Sequence, residues 1–249
     1  MLKEERKAKI MALLNQNQFV TVEELSRYLS ISPTTVRRDL DELLNAGRIE
    51  RNRRGVTLPA ENYTEAHVNF RTAVYSAAKA AIARRAVDFV ETGSVIFLDS
   101  SSTTLYMLES LAKKKNITVV SHSLAVINGL ANSDIELYLT GGEYYAPSQA
   151  FYGMEAIRAV ECFNFDFMFF SCNTITPDGY ATATFEHSAA LRRRVLARST
   201  TPVLLCNHSK IGKFRPHNIA HISQVKYVIT DSPDGFRGVP AQVIRIGEV

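Results

Sequence analysis

From residue 94 onward the chain alternates short apolar runs with segments of helical period, and this alternation restricts its fold more than any other feature. Ser94–Leu98, Ile117–Val120, Ile135–Thr140, Asp166–Ser171, Val203–Cys206 and Tyr227–Thr230 read as strands. Thr103–Lys114, Leu124–Ala131, Met154–Cys162 and Phe185–Arg198 read as helices between them, and a long helix over Val68–Glu91 leads in. Apolar strands separated by helices predict an α/β unit whose mostly parallel sheet is buried on both faces.

The first sixty residues have a different grain. Ile10, Leu13 and Leu14 form an apolar stripe within residues 3–16. Thr21 with Glu24 makes a capping box for a helix over Val22–Leu29. Ser32 caps a third helix, over Thr34–Asn45, and Pro33 fits its first position because the N–H it lacks has no helical partner there. That helix buries Val36, Leu40, Leu43 and Leu44, and Gly47 suits the left-handed residue just past its end. Two helices joined by a tight turn describe a helix-turn-helix.

The outward face of the third helix carries Thr34, Thr35, Arg37 and Arg38 in its first turn and a half. In such motifs this end enters the major groove, where Arg forks onto guanine and hydroxyls reach phosphates or base edges. Residues 48–58 read as two short strands around a basic turn, a wing that sets Arg51, Arg53 and Arg54 along the sugar-phosphate backbone. Ser32, Thr34, Thr35, Arg37, Arg38, Arg51, Arg53 and Arg54 are therefore the expected contacts to double-stranded DNA. A three-helix protein-interaction cap with solvated arginines is the alternative. Residues 1–60 hold eleven Lys and Arg against eight Asp and Glu, so most of the net charge of +4 sits in this part.

In the α/β part, ligands are expected beyond the carboxyl ends of the strands. Asp99, Ser100, Ser101, Ser102 and Thr103 join a strand to a helix and offer hydroxyls and backbone N–H groups to an anion, although simple capping explains one hydroxyl. Ser121 and His122 repeat the arrangement, Gly141 and Gly142 suit a close backbone approach or a plain turn, and Asn173, Asn207 and Lys210 follow later strands. The cysteines, Cys162, Cys172 and Cys206, have no metal spacing and read as small buried hydrophobes. No cofactor or metal is expected, and nothing resembles a signal peptide or a membrane span, so a cytoplasmic protein is expected. The expected division is residues 1–58, a linker over 59–65, and residues 66–249.

Arg6, Ile10, Leu14, Ser32, Thr35, Val36, Arg37, Arg38, Asp39 and Leu40, at these intervals, resemble the N-terminal signature of the DeoR-type bacterial transcriptional regulators. The resemblance continues through Lys79, the Asp99–Thr103 loop, Gly141-Gly142, Asp166, Gly179, Glu186 and Ser209-Lys210. It departs at Arg53-Arg54-Gly55-Val56, where the family usually has His-Gly-Gly-Ala. It departs again at the Asp99 loop, where Asp-x-Gly-Thr-Thr is common, and at Asn207, where Asp is common. The resemblance implies a winged helix-turn-helix followed by an effector-sensing, oligomerising domain similar in fold to ribose-5-phosphate isomerase. It implies a phosphorylated sugar or related metabolite as effector, Glu186 among the residues that bind it, and a homo-oligomer on the operator. The competing reading is a sugar-phosphate isomerase or transferase with an appended DNA-binding module, with Asp99 or Glu186 as the base.

Overall fold

The computed structural model describes residues 2–17, 19–52, 55–57, 68–232, 236 and 241–246. The chain divides into two units, Met1–Phe70 and Arg71–Val249.

The first unit runs α1 (Lys3–Asn17), β1 (Phe19–Val20), α2 (Val22–Leu29), α3 (Pro33–Asn45), β2 (Glu50–Asn52) and β3 (Gly55–Thr57). Local chemistry places the helix starts. Thr21 and Glu24 form the reciprocal capping box before α2, and the Ser32 hydroxyl accepts from Thr35 N–H with Pro33 in the first turn. Ile10, Leu14, Leu25, Val36, Leu40 and Leu43 close a core under the wing, while Leu44 is only partly buried. The three strands form one antiparallel sheet in the order β1-β3-β2, with Arg51 opposite Val56. The linker expected over 59–65 and the wing-turn residues Arg53 and Arg54 lie outside the described residues.

The second unit is built on a seven-stranded sheet. Its elements are α4 (Val68–Ala73, straddling the division), α5 (Ser76–Val87), β4 (Val95–Leu98), α6 (Leu108–Leu111), β5 (Thr118–Ser121), α7 (Leu124–Leu130) and β6 (Glu136–Leu139). Next along the chain are β7 (Glu143–Tyr145), β8 (Ala150–Tyr152), α8 (Met154–Glu161), β9 (Phe165–Phe170), β10 (Thr174–Ile175), β11 (Tyr180–Ala183) and α9 (Glu186–Leu196). The last are β12 (Ser199–Cys206), β13 (His217–His221), β14 (Tyr227–Thr230) and β15 (Gln242–Arg245). The main sheet has the order β15-β14-β12-β9-β4-β5-β6, and its neighbours pair in parallel. Side chains alternate across it: Ile96, Leu98 and Phe169 meet Ile82, Met107, Leu111 and Val126 on one face. Phe97, Met168 and Phe170 meet Ala156, Val160, Leu191 and Val195 on the other. The predicted double-sided parallel sheet is therefore what forms.

Several expected elements differ. The long helix is broken at Tyr75, which takes a left-handed conformation (φ 54°). The carbonyls of Arg71 and Thr72 are bonded instead by the Lys79 amine and the Tyr106 hydroxyl, so the break leaves neither without a partner. The helix expected over Thr103–Lys114 is a 3-10 turn over Thr104–Met107 followed by the short α6. There the Thr104 hydroxyl donates to the backbone of the preceding loop, in competition with regular helix bonding. The β7–β8 hairpin and the small β10-β11-β13 sheet were not expected; their strands lack the continuous apolar runs that mark the strands of the main sheet. Cys172 and Cys206 are buried as expected, but Cys162 is exposed at the end of α8.

Candidate functional site

In the helix-turn-helix, the ion pair between Arg6 and Asp39 ties α1 to α3. Asp39 is buried and accepts two bonds from the guanidinium, at 2.7 and 2.9 Å. This leaves the exposed start of α3 to Thr34, Arg37 and Arg38, and neither arginine has an ion pair or hydrogen-bonded partner among the described residues. Ser32 and Thr35 share a hydroxyl bond of 2.9 Å and are partly occupied in capping. Arg51 stands on β2 and pairs with Asp41 at 2.7 Å, both side chains more than half exposed. Such a pair contributes about 0–1 kcal/mol, a small barrier to exchanging the carboxylate for a phosphate.

In the second unit, β4 leads through β5 to β6 in one direction, whereas β9 leads through β12 to β14 in the other. The order reverses between β4 and β9, and at such a switch point the loops diverge and leave a crevice. Asp99 sits there, fully buried. One carboxylate oxygen accepts from Ser101 N–H at 2.9 Å and the Thr104 hydroxyl at 3.2 Å. The other accepts from Ser171 N–H at 3.0 Å and from Arg192 at 3.0 and 2.8 Å. Burial alone would raise this carboxyl, but Arg192 and the Ser171 and Ser101 donors overcome it and hold it below the usual carboxylate range. Five donors on an ionised, enclosed carboxylate make Asp99 the anchor of the loop and unsuited to take a proton. That removes the geometric support for a general base here.

Around this anchor the other loops assemble. Ser101 caps Thr104 N–H, so one hydroxyl does the capping, while the Ser102 and Thr103 hydroxyls have no side-chain bond among the described residues. Ser100 meets Tyr152 OH at 3.2 Å and His122 Nε2 at 3.0 Å. Burial, reinforced by the charge of Arg192, drops the His122 imidazole to about 3, so it is neutral at physiological pH. Ser121 donates to Leu98 C=O at 2.7 Å and shapes its own turn. Lys210 donates to the Ser171 hydroxyl at 2.6 Å and to Cys172 C=O at 2.7 Å. Asn173 holds Thr184 N–H at 3.1 Å, and Asn207 accepts from Ser209 at 3.0 Å. Lys79 is buried beside these loops; burial, with Lys210 and Arg71 nearby, pulls its amine down to about 7.

Four of the residues named from the sequence stand apart from this network. Glu186 is 56% exposed and pairs with Arg193 and His217 at the start of α9. Gly142 makes a close approach, but to protein: a Cβ there would lie 2.2 Å from Tyr152 C=O. Gly141 has open space on that side. Asp166 accepts from Val95 N–H near the start of β4, at the opposite end of the sheet. Among the described residues no group of His, Cys, Asp and Glu could hold a metal ion, and no helix is long and apolar enough to cross a membrane. Sequence reasoning missed Arg192 and Tyr152. The only signal for Arg192 was a charge among Ala189, Leu191 and Val195 on the buried face of α9.

A winged helix-turn-helix with exposed arginines at the start of α3, on one chain with an α/β unit whose polar loops gather at a switch point of the sheet, defines a DNA-binding regulator with a sensor domain. Residues 6–62 match the DeoR-like helix-turn-helix domain and residues 74–232 match the DeoR C terminal sensor domain. The chain belongs to the DeoR family, whose members are transcription regulators and not enzymes. It is 30% identical over 225 residues to the glycerol-3-phosphate regulon repressor of Escherichia coli, covering 90% of this chain and 89% of that one. It is 32% identical over 223 residues to the L-fucose operon activator of Haemophilus influenzae, covering 89% of each. Among solved structures, ribose 5-phosphate isomerase A of Neisseria gonorrhoeae aligns with a TM-score of 0.40 and 20% identity, over 53% of this chain and 52% of that one.

Proposed function

We propose that this regulator represses a carbohydrate-utilisation operon and releases its operator when a phosphorylated sugar or related metabolite enters the switch-point crevice. One observation carries the effector half: Lys79 lies close enough to Lys210 for that charge to help pull its amine down, and neither lysine pairs with a carboxylate among the described residues. Two ammonium groups held together without a counter-charge favour an anion between them, and a phosphate fits the adjoining hydroxyls of Ser102 and Thr103. Ser100, Ser101, Ser121, His122, Asn173 and Asn207 form the surrounding polar wall, with Asp99 as its anchor. Glu186, Gly141 and Gly142 belong to the rim or to the scaffold. The relatives' regulons, for glycerol 3-phosphate and L-fucose, support the carbohydrate class.

On DNA, Arg37 and Arg38 read base edges, Thr34 and Thr35 contact bases or phosphates, and Ser32, Arg51, Arg53 and Arg54 hold the backbone. The protein acts in the cytoplasm as a dimer or tetramer, so that paired recognition helices meet half-sites. An effector coupling of about 1–3 kcal/mol, or about 5–150-fold in operator affinity, is the usual scale. The test is a mobility-shift titration on a fragment of its own promoter region, with and without a panel of sugar phosphates. Lys210→Ala is expected to keep operator affinity and lose the response to any active compound. A variant that still responds like the parent would refute the assignment of Lys210.

A further inference from the structure

Two thiols that the proposed function does not use lie side by side at the end of the main sheet. β9 and β12 pair in parallel with Leu204 opposite Phe170, so two residues further along each strand Cys206 comes opposite Cys172. Phe170, Cys172, Leu204 and Cys206 all belong to the core on one face of the sheet, which puts both sulfurs on the same side. The two thiols share a hydrogen bond. Neighbouring strands run about 4.8 Å apart, within the Cα separation of roughly 4.4–6.8 Å that a disulfide spans. β9 ends at Phe170, so Cys172 stands on loop backbone, which can supply the small adjustment a bond requires.

The two sulfurs are not equivalent. Burial alone would raise the Cys172 thiol, but the hydrogen bond from Cys206 and the charges of Lys210 and Arg192 overcome it and hold it below the usual thiol range. The same hydrogen bond, together with burial, pushes Cys206 well above that range. Lys210 donates to Cys172 C=O at 2.7 Å, which fixes the ammonium beside this residue. Cys172 keeps 6% of its exposure and Cys206 none. Thiol oxidation proceeds through the thiolate, so Cys172 is the sulfur that reacts first and Cys206 the one placed to resolve it.

We propose that Cys172 and Cys206 form an oxidation site, at which hydrogen peroxide closes a reversible disulfide within the chain. The Cys172 thiolate attacks one peroxide oxygen; an S–O bond forms, the O–O bond breaks, and the departing hydroxide takes up a proton to become water. The Cys206 sulfur then attacks the Cys172 sulfenic acid; the S–S bond forms, the S–O bond breaks, and the hydroxyl leaves as water with the Cys206 proton. Two thiols are oxidised and one peroxide is reduced to two waters. Where thiols are otherwise kept reduced, a disulfide of this kind is transient and sensing rather than structural. Lys210 is held by the Ser171 hydroxyl and the Cys172 carbonyl, so the bond acts on the support of that lysine. The thiol chemistry does not depend on the identity of the effector.

The test uses the full-length protein carrying Cys162→Ser, which leaves only this pair of thiols. It is treated with hydrogen peroxide while folded, then unfolded in maleimide, digested and analysed by mass spectrometry. The reduced protein should take a maleimide on each thiol. The oxidised protein should take none, and its digest should show the Cys172 and Cys206 peptides joined until dithiothreitol separates them. With Cys206→Ser added, dimedone should trap a sulfenic acid on Cys172; with Cys172→Ser added instead, the label on Cys206 should be about tenfold lower. Thiols that stay open to maleimide under peroxide that oxidises free cysteine, a bond that forms only after unfolding or only between chains, or equal dimedone labelling of the two variants would each overturn the proposal. If a single-thiol variant fails to fold, the peptide map of the Cys162→Ser protein alone decides.

Discussion

Replacing Asp99 by Asn preserves shape and removes one charge from a fully enclosed site. The Arg192 side chain is 9% exposed and would keep its bonds to Ser188 but lose its carboxylate, while Asp99 itself has no exposure. Whichever way the new amide turns, its NH2 meets donors: Ser171 N–H and Arg192 on one side, Ser101 N–H and the Thr104 hydroxyl on the other. Breaking a buried pair by removing one partner is destabilising by about 3–5 kcal/mol. For a unit of this size, each kcal/mol moves the midpoint by about 2–4 °C, so Tm should fall by about 6–20 °C. Thermal unfolding monitored by circular dichroism, reading the sensor-domain transition, measures it. Arg192→Met should be similarly harmful, and the double variant should lose less than the sum of the singles, since the residues are in contact. In acid the difference should shrink. Because the folded carboxyl titrates below the unfolded one, its stabilisation is complete above about pH 3.9 and is lost at lower pH. The gap between parent and Asp99→Asn should therefore narrow below about pH 4. A Tm drop under about 2 °C, or strict additivity in the double variant, would refute the anchoring role.

The remaining predictions concern binding and one cap. Because Lys79 titrates near 7, its charge fades as pH rises, so anion affinity should weaken from pH 6 to 9 and binding at pH 8 should take up a proton. Calorimetry in buffers of different ionisation enthalpy reads that uptake; a flat affinity over the range would contradict it. Arg37→Ala should lose about 1–3 kcal/mol on the operator and relax base preference, whereas Arg54→Ala should weaken all DNA alike and reduce the salt slope by about 1. Equal losses on operator and random DNA for Arg37→Ala would remove its reading role. Ser32→Ala deletes the cap on α3 and should lower the stability of the first unit by about 0.5–2 kcal/mol, seen as faster amide exchange at Thr35 and Val36.

Much of the helix-turn-helix was legible because its determinants are local. The Thr21–Glu24 box and the Ser32-Pro33 start each act within three or four residues, and the structure places both helix starts where those signals lie. The Asp99 loop was also legible, as hydroxyls just past an apolar strand. What it does was not, because neither the five donors on its carboxylate nor Arg192, 93 positions away, leaves a mark near residue 99. Of the Gly141-Gly142 pair, which left a close approach and a plain turn both open, only Gly142 is approached closely, and by Tyr152 on a hairpin the sequence did not reveal. The break at Tyr75 has no Gly or Pro to announce it, since Lys79 and Tyr106 compensate it through side chains.

By itself the sequence determined the main helices and most strands of the large sheet, where the helices of the first unit begin, and that a sheet buried on both faces must form after them. These depend on periodicity and on bonds between near neighbours in the chain. Only the tertiary structure decided the strand order, and with it the reversal between β4 and β9 that brings Asp99, Ser171, Lys210 and Lys79 together. It also decided the charge states of Asp99, Lys79 and His122, because desolvation and the proximity of Arg192 and Lys210 exist only once distant loops are folded together.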